Sequence, residues 1–194
     1  MMSRIPRVEE NDLPKSYDII KQKRELLPDE VDSSFWNRQP TVQNFSNNRE
    51  LGWTHVTANT MLWTETGLSR AETECVILTI ARELESAYEW HDHVIAAIRY
   101  AGMSEEEILA IYHGDADALD DEHATLMRYT EEYVRKHGAV CDETHDAVAT
   151  RYEESTVVGL VMLAGFYVSL SYQIEAIDLR LKDEFVGWEL ENYK

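Results

Sequence analysis

The sequence predicts an all-α fold, a single-domain helical bundle of about seven or eight helices. Three observations carry this. Period-two alternation of apolar and polar residues is scarce, so half-buried strands have no signal. From about residue 45 onward, a Ser followed three positions later by a Glu opens several apolar-periodic stretches, as in a helix capping box. Glycines stand where such stretches stop, at Gly67, Gly102 and Gly138. A chain of 194 residues builds one sizeable core and is short for two domains.

The elements follow in order. Residues 1–40 hold Pro6, Pro14 and Pro28 and close on Pro40, which predicts an arm wrapping the domain, with one short helix around Tyr17 to Leu26. The helical domain is expected over 41–181 and a tail over 182–194. The domain opens with a helix from about Asn44 to Glu65, whose apolar positions include Phe45, Trp53, Val56, Met61 and Leu62. Ser69 and Glu72 box the next helix, whose apolar face is Cys75, Val76, Ile77, Ile80, Ala81 and Leu84. Ser86 and Glu89 box a third, running to about Ala101, and Ser104 and Glu107 a fourth, through about Tyr112. Helices are then expected from about Leu119 to His137, over a short stretch after Asp142, and from a Ser155 cap to about Leu181. Phe185, Trp188 and Tyr193 mark the tail.

Composition removes several function classes. The longest apolar run, Val157 to Leu170, is broken by Gly159 and Gly165 and falls short of the roughly 18 residues of a membrane span, so it predicts a buried helix. The first residues lack the apolar core of a secretory signal, and a cytoplasmic location is expected. A net charge of -19 without any basic stripe argues against nucleic acid and against an anionic membrane surface. Cys75 and Cys141 form no C-x-x-C pair, so no zinc ribbon or dithiol motif exists; both are expected as free, buried thiols.

The chemically loaded segment is "ELESAYEWHDH", Glu83 to His93. Glu89 and His93 are four apart and share a helix face, where a carboxylate raises and orients an imidazole that moves protons near neutral pH. His91 stands about 200° around the helix from His93, so the two cannot converge on one metal, and His91 and Asp92 are expected toward solvent. His55, His113, His123, His137 and His145 lack convergent partners and are expected at the surface or in caps.

With these residues the chain resembles a known family. "LSRAETECVILTIARELESAYEWHDHVIAAIRYAGMSEEEILAI", Leu68 to Ile111, looks like the core of the carboxymuconolactone decarboxylase family, related to the alkylhydroperoxidase D-like proteins. "VVGLVMLAGFYVSLSYQIEA" is similar to the last helix of that family, and the resemblance spans about residues 35 to 180. In the peroxidase branch a C-x-x-C pair, a following His and a Glu on the preceding helix do the chemistry. Those places fall on Ser86, Glu89, His93 and Glu74, so both thiols are absent and a disulfide cycle is disfavoured. The decarboxylase branch implies a cofactor-free lyase or isomerase for a small carboxylated or lactone substrate. In it His93 is the general acid/base, Glu89 tunes and orients it, Glu74 handles a second proton or orients substrate, and Ser86 and Arg82, or Arg70, hold substrate. No metal is assigned. The competing readings are a metal-binding protein with Glu74, Glu89 and His93 as ligands, and a non-catalytic scaffold. The family also implies trimers or hexamers, for which aromatic residues in the arm (Phe35, Trp36) and tail offer apolar surface.

Overall fold

A computed structural model describes residues 39–194. Eight α-helices occur among the described residues, and no strand: α1 (Pro40–Phe45), α2 (Arg49–Thr64), α3 (Arg70–Glu83), α4 (Ala87–Ala96), α5 (Glu105–His113), α6 (Asp121–Arg135), α7 (Asp142–Ala149) and α8 (Glu154–Ala176). A π-helical turn, Ala97–Ala101, prolongs α4, and a 3-10 turn, Ala116–Ala118, precedes α6. The expected arm helix, with Phe35 and Trp36, lies outside the described residues.

Local chemistry explains most boundaries. The Ser69–Glu72 and Ser104–Glu107 capping boxes both form, each Ser accepting from the Glu N–H while the Glu side chain accepts from the Ser N–H. Gly102 and Gly114 take left-handed conformations just past α4 and α5. Three expectations are corrected. The helix expected over 44–65 is two, because Asn48 is extended and its side chain caps α2 by accepting from the Leu51 N–H; Pro40 opens α1. The final helix starts at Glu154 behind Glu153, with no side-chain cap from Ser155. And Asp120, by accepting from the His123 N–H, starts α6 two residues later than expected.

α3 is the central helix. Cys75, Val76, Ile77, Leu78 and Ile80 are all buried, so it is apolar around most of its circumference, as a helix enclosed by others must be. On one side Val76, Ile77 and Ile80 pack with Leu126 and Tyr129 of α6 and with Leu160, Leu163 and Tyr167 of α8. On the other, Cys75 and Leu78 pack with Trp90 and Val94 of α4, Ile108 and Ile111 of α5, and Val186 and Leu190 of the tail.

The tail is therefore part of the core. The Trp90 Nε1–H donates to the Gly187 carbonyl at 3.1 Å, and the Trp90 and Trp188 rings lie 5.6 Å apart. Phe185, Trp188 and Tyr193, each partly buried, thus pack against the core of their own chain.

α8 departs from the buried helix the sequence predicts. By length and composition it is long and apolar enough to cross a membrane. Its Leu160, Leu163, Ala164, Tyr167 and Leu170 face the core, while Val158, Met162 and Tyr172 are exposed. Gly159 lets it pass the end of α2: a Cβ there would lie 2.6 Å from the Thr66 carbonyl oxygen. The close approach sets Tyr167, about two turns on, beside the α2 side chains. The cysteines also divide: Cys75 is buried, and Cys141 is exposed, contrary to expectation, at the N-cap of α7.

Candidate active site

α3 ends at Glu83, and Glu85 adopts a left-handed conformation (φ 51°) that turns the chain sharply into α4. The turn lays the first two turns of α4 against α3. There the Glu74 Oε2 lies 2.7 Å from His93 Nδ1, and the Glu89 Oε2 lies 3.4 Å from His93 Nε2. Glu74, Glu89 and His93 are 0%, 3% and 7% exposed, so this is a buried carboxylate–imidazole–carboxylate chain.

The capping box expected from Ser86 and Glu89 does not form, because Ser86 makes no side-chain cap. Glu89 turns inward to the imidazole instead, an ion pair in a low-dielectric site that is stronger than a cap at an exposed helix end. Burial alone would lower the His93 pKa; the Glu74 charge, with hydrogen bonds from the ring N–H groups to both carboxylates, overcomes it and raises the value to about 10. His93 is an imidazolium at neutral pH. The second Glu74 oxygen, Oε1, is buried with no hydrogen-bond partner.

His93 and Glu89 open onto a cavity of about 410 Å³ between α2, α4, α8 and the tail. Glu74 does not line it and lies behind His93. Across from the imidazole stands Tyr167, its ring centroid 5.1 Å from that of His93. The Trp63 Nε1–H donates to the Tyr167 hydroxyl oxygen at 2.9 Å and the Asn59 amide at 3.2 Å. Two donors occupy the lone pairs of that oxygen, which leaves the hydroxyl proton as its one remaining hydrogen-bonding group. Burial first, then the Glu89 and Glu74 charges, push the Tyr167 pKa well above its ordinary value, so it stays a donor.

Several expectations about this region change. Asp92 and His91 are not solvent-side: both line the cavity. Burial, then the Glu89 charge, raises the Asp92 pKa to about 7. His91 is 5% exposed and its Nδ1 accepts from the Val186 N–H, which anchors the tail. His55 lies between Phe45 and Phe166, with burial lowering its pKa to about 4. Ser86 and Arg82 are not among the cavity-lining residues. Arg82 is held by Glu83 and Glu131 and by the Ile111 carbonyl, ion pairs and a hydrogen bond that spend its donors on the α3–α5–α6 junction. Arg70 lies over the Trp63 ring at 5.5 Å. The basic residues on the cavity wall are Arg99, from the π turn, and Lys182, from the tail.

One metal cannot take Glu74, Glu89 and His93 together, since the two carboxylates approach opposite nitrogens of one ring. Neither cysteine lines the cavity, and burial pushes the Cys75 thiol far above the thiolate range. Tyr167, Asn59 and Trp63 escape the sequence reading because aromatic and amide residues on apolar helices read as packing.

Residues 51–132, which contain Glu74, Glu89 and His93, match the carboxymuconolactone decarboxylase family. No curated protein matches the chain. Among solved structures it is similar to the alkylhydroperoxidase AhpD core of an uncharacterized peroxidase-related protein from Ralstonia eutropha, with a TM-score of 0.73 and 15% identity over 97% of each chain. At that identity the likeness speaks for the fold. The chain thus has an all-α, alkylhydroperoxidase D-like fold whose residues 51–132 are similar to the carboxymuconolactone decarboxylase family.

Proposed function

We propose that this protein is a cofactor-free carboxy-lyase acting on a small unsaturated lactone acid. The observation that carries the reading is the buried Glu74–His93–Glu89 chain, which keeps an imidazolium at the wall of a cavity large enough for a small molecule. Decarboxylation breaks the bond between ring carbon and carboxylate. The electron pair moves into the conjugated carbonyl, whose oxygen becomes an enolate, and CO2 departs. A proton must then reach carbon. His93 gives its Nε2 proton to that carbon and regains one from water entering the cavity, while Glu74 at Nδ1 holds the ring in place and favours its protonated form. Tyr167 donates its free hydroxyl proton to the enolate oxygen, a donor placed where charge develops. Arg99 and Lys182, rather than Arg82, are the groups suited to the substrate carboxylate, since they share the cavity wall with His93.

A thiol peroxidase has no support: neither cysteine reaches the cavity. The assembly that fits this reading is a trimer or hexamer, with the exposed Val158, Met162 and Tyr172 stripe of α8 as the surface for a second copy; light scattering giving a mass of 22.5 kDa removes it.

The functional test is turnover of carboxymuconolactone, followed by CO2 release, in the wild type and in His93→Gln. Turnover by the wild type and its loss in the variant support the reading. Equal rates remove His93 from the chemistry, and an inert wild type removes this substrate.

A further inference from the structure

A second cluster lies at the heads of α5 and α6. Glu107 is the third residue of α5, and its Oε2 accepts from the Ser104 N–H at 2.8 Å and the Ser104 hydroxyl at 2.9 Å. Asp120 is the N-cap of α6, and its Oδ1 accepts from the His123 N–H at 2.8 Å. Each carboxylate therefore spends one oxygen on a helix cap, which fixes its orientation, and keeps the other. Those remaining oxygens turn toward one imidazole: Asp120 Oδ2 is 2.9 Å and Glu107 Oε1 is 4.0 Å from His123 Nδ1.

His123 itself is 7% exposed, and neither of its ring nitrogens has a hydrogen-bond partner. At 2.9 Å from Oδ2, Nδ1 is close without being aligned for a hydrogen bond. Buried polar nitrogens are normally satisfied, so an orphaned imidazole aimed between two carboxylate oxygens calls for a ligand. One atom from each residue lies within 4.8 Å of the other two. Ligands on metal bonds of about 2.1 Å stand up to about 4.2 Å apart across an ion, so small rotations of the more exposed Glu107 and Asp120 side chains close the set.

We propose that Glu107, Asp120 and His123 form a binding site for a divalent transition-metal ion, separate from the active-site cavity. The imidazole favours zinc, cobalt or nickel over magnesium or calcium. Water completes the shell, since both carboxylates border solvent. The net charge of -19 raises the local cation concentration. A bound ion clips the start of α5 to the start of α6 across the 114–120 linker, and so clamps α6, whose His123 carbonyl accepts from the buried Cys75 thiol of α3. None of these residues lines the cavity, and the proposal does not depend on the decarboxylase reading.

The test is titration of chelator-treated, desalted full-length protein with Zn²⁺ by calorimetry and with Co²⁺ by visible absorption. The wild type is expected to bind one equivalent with a Kd of micromolar order or tighter, and to melt at higher temperature when loaded. His123→Ala should abolish this binding. Glu107→Gln, which still closes the capping box and so keeps the fold, should weaken it at least tenfold. His93→Gln should bind as the wild type does. Failure of the wild type to bind below millimolar metal overturns the site. So does unchanged affinity in His123→Ala, or loss of binding in His93→Gln alone.

Discussion

The Glu74 carboxylate and the His93 imidazole meet at 2.7 Å across the α3–α4 turn, and neither is accessible enough for water to replace the other. A buried charge without its partner is expensive, so the pair holds together electrostatically and geometrically. Glu74 sits behind the ring rather than in the cavity, so any influence it has there passes through His93.

Glu74→Gln keeps the shape and removes the charge. The His93 pKa should fall from about 10, and turnover should drop by about 100-fold, the scale of an impaired general acid. Imidazole NMR titration and steady-state kinetics check the two halves; an unmoved His93 pKa contradicts the electrostatic role of Glu74.

The same pair makes stability depend on pH. His93 is raised from 6.5 to about 10, so its contribution is complete below about pH 6.5 and is lost as pH rises toward 10. Asp92 is raised from 3.8 to about 7, so the folded state loses stability between those values as the unfolded chain ionises first. Urea midpoints across pH should show both slopes. Asp92→Asn should flatten the acid window alone, and Glu74→Gln the alkaline one.

Tyr167→Phe removes the hydroxyl proton and leaves the ring. A donor lost from a developing oxyanion costs roughly 100-fold in kcat, with KM little changed. The Trp63 and Asn59 donors also lose their acceptor, so a modest fall in melting temperature should accompany the kinetic loss. A kcat equal to that of the wild type takes Tyr167 out of the mechanism.

Gly159→Ala should destabilise the fold by about 1–3 kcal/mol, since the new Cβ meets the Thr66 backbone 2.6 Å away and backbone yields poorly. Chemical denaturation measures it. As α8 moves off α2, the Tyr167–Trp63 hydrogen bond should loosen, and turnover should fall further than the folded fraction does.

Much of the fold was legible in the sequence because helices are local. Ser69 and Ser104 cap residues three positions away, Gly102 stops the helix it follows, and the Glu89–His93 spacing follows from the helical repeat. Local rules failed where a buried ion pair competed. Ser86–Glu89 reads as a capping box until His93 takes the Glu89 side chain, and Arg82 reads as a substrate ligand until Glu131 claims it. The tail reads as exposed apolar surface until Trp90 and His91 bind it.

By itself the sequence determined the helical architecture, the absence of a dithiol motif and a Glu–His pair on one face of α4. Only tertiary structure decided that Glu74 reaches His93, that Tyr167 faces it with both lone pairs occupied, and that Glu107, Asp120 and His123 converge. Those relationships join residues on different helices, and their energies come from burial and from directed charge. Neither exists until the chain has packed, and no spacing along the sequence encodes them.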